Sequence, residues 1–246
     1  MDGILYGIGT GPGDPELLTL KAVRKIRDCS VIAVPVSDRE YASEEGLPDE
    51  ETQKKYCRKC VAYQIAEKEI PEMEKKEKIY LPMPMVKEKE VLERAHERSA
   101  ILVEEQLKKG RDVAFLTLGD PSVYSTYLYV RKKIEARGFQ TVIIPGVPSF
   151  CAAAARLGTG LSENVEELHI LPASYQIEEG LSLQGTKVLM KAGKKMPLVK
   201  ESIRKSGGQA MMVTNCGMPG EKVYQGVEEM PDDAGYYSLV IVKEEV

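Results

Sequence analysis

The chain has 246 residues, 43% of them hydrophobic and 29% charged, with a formal net charge of −4. That length supports one large α/β domain or two compact ones with a sizeable core, and the acidic balance excludes a general polyanion-binding surface, so no nucleic-acid partner is expected. The five cysteines (Cys29, Cys57, Cys60, Cys151 and Cys216) are an odd number with no signal peptide ahead of them, and no apolar run reaches the roughly 18 residues of a membrane span; reduced thiols, a cytoplasmic protein and no membrane partner are expected.

Ile4 to Ile8 is short, apolar and β-compatible, and the glycines Gly7, Gly9, Gly11 and Gly13 follow it. Asp14 and Pro15 then suit the cap and first turn of a helix opening near Glu16. Val31 to Val36 reads as a second parallel strand. From Ser37 to Cys60 the composition turns acidic and lysine-rich with few apolar residues, which predicts a lid-like excursion rather than core. Val61 to Lys68 reads as a short helix, Lys78 to Met85 as a strand and Glu88 to Gly110 as a long amphipathic helix stopped by glycine. The strand Val113 to Leu118 runs into Gly-Asp-Pro and a hydroxyl-rich segment, and a helix from Ser125 to Arg137 follows. Thr141 to Ile144 is another strand, succeeded by a small-residue helix from Phe150 to Leu157. Five strands alternating with helices are the signature of a mostly parallel sheet.

The pattern starts over after Gly160. Strands are predicted at Leu168 to Leu171, Thr186 to Met190, Ala210 to Val213 and Tyr237 to Val242, with a helix from Pro197 to Lys205. Two α/β domains are the economical reading, 1–145 and 146–246, with mainly parallel or mixed sheets.

Two strand ends, Gly13-Asp14-Pro15 and Gly119-Asp120-Pro121, each carry a glycine and a carboxylate, which suggests a shared pocket. The first glycine-rich loop departs from the dinucleotide fingerprint because Pro12 and Pro15 remove amide donors, and no Gly-Lys-Ser or Gly-Lys-Thr closes it as in a P-loop. An adenine nucleoside without phosphate suits it better, beside the alternative of a purely structural turn. Asp120 is either a helix cap or a ligand contact, and Tyr124, Ser125, Thr126, Tyr127 and Tyr129 crowd more polar tips into one span than a cap requires. Cys57 and Cys60 form half a zinc knuckle with no second half, so no metal site is expected. His169 fits a satisfied strand residue better than a base. Lys191, Lys194 and Lys195 follow a strand end and read either as ligand residues or as a solvated charge run.

Together, GTGPGDP at 9–15, LGDPSVYST at 118–126 and IPGVPSFCAAAARLG at 144–158 resemble the three signatures of the tetrapyrrole (corrin and porphyrin) methylases, which use S-adenosylmethionine. The segments at 117–127, 149–157, 172–177 and 188–196, extended by 215–221 and 234–239, are most similar to the branch that methylates C20 of precorrin-2 or cobalt-factor II in cobalamin synthesis. The resemblance implies cofactor and substrate in a cleft between two domains, a homodimer, and S-adenosylhomocysteine as product. It carries cofactor contact onto Pro12, Leu118, Gly119, Asp120, Val123, Pro148, Ser149, Met190 and Cys216. Asp120 is the expected electrostatic or proton-accepting group, Lys191 and Tyr124 are further catalytic candidates, and Lys191, Lys194 and Lys195 would bind the carboxylate arms of the tetrapyrrole substrate. Two departures stand out: Pro148 replaces a customary serine or threonine, and Glu44 to Lys59 resembles an insertion. The alternatives are the same fold acting at another position (precorrin-3B, precorrin-4 or uroporphyrinogen III), a non-enzymatic binder, and an NAD-dependent oxidoreductase, for which Asp38 is the nearest acidic residue.

Overall fold

The computed structural model describes residues 1–41, 46, 48–172 and 177–244, with the backbone alone at Lys194. The chain divides into two units, Met1–Pro148 and Ser149–Val246. Most of the 172–177 segment, part of the Glu44 to Lys59 stretch and the Lys194 side chain lie outside the described residues.

The first unit holds strands β1 (Leu5–Gly9), β2 (Val31–Val36), β3 (Glu77–Pro82), β4 (Val113–Thr117) and β5 (Thr141–Ile144) in the order β3-β2-β4-β1-β5, every pair parallel. Both faces are covered, which is why the strands read as near-continuous apolar runs. Tyr6, Ile8, Ile32, Val34, Ala114 and Leu116 face helices α1 (Leu20–Asp28), α2 (Glu50–Lys59) and α3 (Val61–Glu69). The alternate residues Leu5, Val31, Ala33, Ile79, Leu81, Val113 and Phe115 pack against α4 (Lys89–Leu107) and α5 (Tyr127–Ala136).

Two local expectations need correction. Asp14 caps only a 3-10 turn, Pro15–Leu17, through Glu16 N at 2.9 Å; Leu18 is extended, and α1 starts afresh at Leu20 with the Thr19 hydroxyl accepting from Ala22 N. The stretch after Ser37 is not wholly an excursion outside the core. Tyr41 and Tyr56 are buried within the core under α1–α3, their ring centroids 5.1 Å apart, and the Tyr41 hydroxyl donates to Tyr80 O at 2.9 Å. Two aromatic side chains seat α2 while its charged residues stay solvated.

In the second unit β6 (Leu168–Pro172), β7 (Thr186–Met190), β8 (Gln209–Thr214), β9 (Lys222–Gln225) and β10 (Ser238–Lys243) form a sheet in the order β6-β7-β10-β8-β9. Only β6 and β7 pair in parallel, so this sheet is mixed. Leu189, Met212, Val240 and Val242 pack with α7 (Ile177–Leu181) and α8 (Met196–Ser206), and α6 (Ser149–Leu157) contacts β8 and β10. The α/β class with one parallel and one mixed sheet matches the expectation. Strand β9 and helix α7 have no counterpart in the sequence reading, being short and, for β9, only half-buried.

Candidate functional site

In the first unit, β1 and β4 are neighbours whose onward connections diverge. The chain leaves β1 for β2, beyond β4, and leaves β4 for β5, beyond β1. Such a reversal opens a crevice at the carboxyl ends of the strands, where ligands of open α/β sheets bind. The loops after β1, β4 and β5 all emerge there.

Three glycines bring those loops into backbone contact. A Cβ on Gly146 would lie 2.3 Å from Gly119 O, and one on Gly9 would lie 2.6 Å from both Gly119 O and Gly146 N, so side chains are excluded from the junction. Gly119 has φ 73°, a conformation glycine adopts without cost. Gly119 N donates to Gly11 O at 2.8 Å, and Thr10 N donates to Thr117 O at 2.9 Å.

Asp120 completes the junction. It is 8% exposed. Its Oδ2 accepts from Gly146 N at 3.0 Å, and its Oδ1 accepts from Ser122 N at 2.8 Å and from the Ser122 hydroxyl. The carboxylate therefore ties the β4 loop to the β5 loop, in addition to the turn-capping role readable from Gly-Asp-Pro. Leu118, Gly119, Asp120, Val123, Pro12 and Pro148 all lie in these three loops, Pro12 buried and Leu118, Val123 and Pro148 half-buried. Tyr124 is 48% exposed with φ 48°, a left-handed geometry costing about 1–3 kcal/mol and typical of functional loops. Tyr127 is fully buried: its ring fills the space beside Gly7, where a Cβ would approach it to 2.3 Å, and its hydroxyl donates to Val142 O.

Thr10, Thr117 and Ser125 are buried polar residues that sequence reasoning did not single out as a set. The Thr10 hydroxyl donates to Thr117 O, and the Thr117 and Ser125 hydroxyls lie 3.4 Å apart. For Thr10 and Thr117 the signal is a hydroxyl at the end of an apolar strand; Ser125, eight residues further on, carries no such mark.

In the second unit Met190, Lys191 and Cys216 lie at the carboxyl ends of two interior strands, β7 and β8. β7 and β8 both run antiparallel to β10, so their carboxyl ends meet the start of β10. Met190 ends β7, and exposed Lys191 follows with φ 61°; its Nζ lies 5.9 Å from the Tyr236 ring centroid. Asn215, with φ 51°, precedes Cys216 after β8, and its N donates to Tyr237 O at 2.9 Å. Gly193 abuts the carbonyls of Ala234 and Gly235, where a Cβ would not fit. Lys195 is exposed and Ser149 opens α6.

The other candidates are accounted for locally. His169 Nε2 lies 3.1 Å from Glu167 Oε2 on β6. Burial pushes the Cys57 thiol up and the Cys60 thiol up to about 11, so neither is a poised thiolate. Among the described residues no group of three or more His, Cys, Asp or Glu side chains is placed to hold a metal ion.

The loops of the first unit suit a cationic nucleoside better than a phosphate ester. Residues 10–15, 118–126 and 145–148 contain no lysine or arginine, and prolines at 12, 15, 121, 145 and 148 remove five amide donors. Buried Asp120 contributes negative charge, while Leu118, Val123, Pro12 and Pro148 offer apolar wall. That combination fits a sulfonium and an adenosine.

Residues 4–231 match the model of the family described as Tetrapyrrole (Corrin/Porphyrin) Methylases. A probable cobalt-precorrin-2 C(20)-methyltransferase of Methanocaldococcus jannaschii is 33% identical over 97% of this chain and 95% of its own length. A precorrin-2 C(20)-methyltransferase of Sinorhizobium sp. is 31% identical over 98% of this chain and 95% of its own. Among solved structures, a uroporphyrin-III C-methyltransferase from Thermus thermophilus complexed with S-adenosyl homocysteine superposes with a TM-score of 0.65 at 21% identity, covering 98% of both chains; this likeness speaks to the fold.

Proposed function

Since the chain belongs to the tetrapyrrole (corrin/porphyrin) methylase family, we propose that it transfers a methyl group from S-adenosylmethionine to C20 of precorrin-2 or cobalt-factor II in cobalamin biosynthesis. The observation that carries this reading is the identity of about one residue in three along almost the whole chain to relatives named for that reaction. The glycine junction and the cation-free loops support the choice of cofactor.

The bound cofactor supplies an electrophilic methyl on sulfur. The chain's own residues then have to align a nucleophilic meso carbon with it, exclude water and accommodate the proton that carbon releases. Alignment of this kind is worth up to about 7–11 kcal/mol of barrier. We assign the backbone of Gly119, Leu118 and Val123 and the loops of Pro12 and Pro148 to holding the cofactor; Ser149, Met190 and Cys216, in the second unit, keep the cofactor role that the family likeness implies. Asp120 has both oxygens committed to loop donors, so we assign it positioning and electrostatic work in preference to proton uptake. Tyr124 and Lys191 are the candidates that face solvent and can meet substrate. Lys195, with Lys191 and Lys194, supplies positive charge toward its carboxylates. Homodimeric assembly and a cytoplasmic location complete the proposal; among the described residues no helix is long and apolar enough to cross a membrane.

Calorimetric titration with S-adenosylhomocysteine and with NAD tests the cofactor assignment. The expected result is saturable one-site binding of the former and none of the latter; NAD binding without S-adenosylhomocysteine binding would overturn it.

A further inference from the structure

A second feature of the first unit has no role in the cofactor assignment. An open groove of about 800 Å³ lies where the first turns of α4 and α5 stand beyond the carboxyl end of β3. Met83 and Pro84 line it from the β3 side, Lys89, Arg94 and His96 from α4, and Tyr129 from α5. Thr126, which also lines it, ends the loop that opens with Gly119 and Asp120, so one loop runs from the glycine junction to the groove wall. Its size is near the upper end of the roughly 300–1,000 Å³ range of small-molecule sites and suits a large ligand.

The charges on its wall are unusual for this face. The neighbouring cations are committed: Lys133 to Glu93 and Glu97, Arg137 to Glu97 and Glu104, Arg131 to Glu135, and Arg98 to the carbonyl of Tyr41. Among the described residues the side chains of Lys89 and Arg94 make no ion pair or hydrogen bond. Of the two carboxylates in the lining, Glu93 is neutralised by Lys133, which leaves Glu90 as the opposing charge. The aromatic wall is built in two layers. The His96 ring is 7% exposed and stacks behind Tyr129 at 4.7 Å and 5° between planes, while Tyr129 is 54% exposed. Uncommitted cations beside a backed aromatic ring recognise a flat π-system that carries carboxylates.

We propose that this groove seats the substrate macrocycle, with its ring against Tyr129 and its carboxylate arms at Lys89 and Arg94. The assignment rests on the tetrapyrrole methylase reading; it adds Lys89 and Arg94, which neither the sequence motifs nor the family signatures single out, and gives Tyr129 a specific place in the substrate site.

The test is an anaerobic absorbance titration with cobalt-factor II at saturating S-adenosylhomocysteine, using wild type, Lys89→Gln, Arg94→Gln, their double variant, Glu90→Gln and Tyr129→Ala. The altered side chains are exposed, and melting temperature checks that each variant folds. Each single cation loss is expected to weaken binding by about three- to five-fold and the double by about ten-fold, with a shallower salt dependence. Removing the opposing charge at Glu90 is expected to tighten binding by about two-fold. Tyr129→Ala is expected to weaken it by about five-fold. Affinity for S-adenosylhomocysteine should stay at the wild-type value throughout. A double variant that binds cobalt-factor II within about two-fold of wild type overturns the groove assignment and leaves the methylase reading standing. Failure of the wild type to bind cobalt-factor II or precorrin-2 at all removes the methylase reading, and the groove's ligand with it.

Discussion

Gly146 and Asp120 show how closely the strand-end loops are fitted. A methyl on Gly146 has to displace the Gly119 carbonyl, which is backbone and cannot swing aside. Gly146→Ala is therefore expected to lower stability by about 1–3 kcal/mol, as overpacking does, and to weaken S-adenosylhomocysteine binding along with it, measured by denaturant melts and calorimetry. Asp120→Asn keeps the side chain's shape but gives it an amide that opposes one of the donors Gly146 N and Ser122 N. Leaving such a buried donor unmade costs about 1–3 kcal/mol, and unchanged stability and cofactor affinity in this variant would contradict the tethering role. His96 makes a prediction of a different kind. Burial holds it below its ordinary pKa of 6.5, with Glu93 pulling upward and Lys133 downward. The unfolded chain takes up a proton near that value that the folded chain still refuses, so stability is full above it and falls as pH drops through it. Glu93, held down by Lys133, acts only in the lower carboxylate range. Urea melts between about pH 5.5 and 7.5 should show this slope in wild type and a flatter one in His96→Gln.

Strand parity made the elements of the first unit legible, because a parallel strand covered on both faces has few ways to be written other than as an apolar run. Helix α4 was equally plain from its apolar spacing and its closing glycine. The misreadings have local causes. A proline and a capping aspartate announce a helix start, yet Leu18 turns extended and the α-helix waits for Thr19. Counting aliphatic residues between Ser37 and Cys60 overlooked Tyr41 and Tyr56, whose rings bury α2 against the core. Strand β9 is four residues long with solvent at both ends, below what periodicity can detect. The packing of α5 on the sheet can be examined through Tyr127 and Gly7. Tyr127→Phe loses one hydrogen bond to Val142 O and is expected to cost about 1 kcal/mol. Gly7→Ala should be severe alone and far milder with Tyr127→Leu, since the three atoms nearest the added methyl all belong to that ring; additivity in a double-mutant cycle would contradict the contact.

In the first unit the candidates stand in the loops at the carboxyl ends of β1, β4 and β5, and in the second Met190, Lys191 and Cys216 stand at the carboxyl ends of β7 and β8. The motif residues Asp120, Pro12 and Gly119 were legible because glycine, proline and aspartate leave few alternatives at a strand end. Gly146 was hidden within a Pro-Gly-Val-Pro run, and its partnership with Gly9 depends on two strands, β1 and β5, being neighbours, which chain order does not reveal. Of the groove, the sequence showed only Tyr129, as one of a crowd of polar tips; Lys89 and Arg94 were hidden, because the wall is assembled from two helices on either side of β4 and depends on which cations are left uncommitted after the others have paired. Which ring position is methylated is best tested by chemistry. The decisive measurement is to supply precorrin-2 and cobalt-factor II, separately, with S-adenosylmethionine carrying an isotopically labelled methyl, and to locate the label in the product by NMR. One labelled methyl at C20 is the expected result; a label at any other ring position, or no transfer to either substrate, would overturn the proposed reaction.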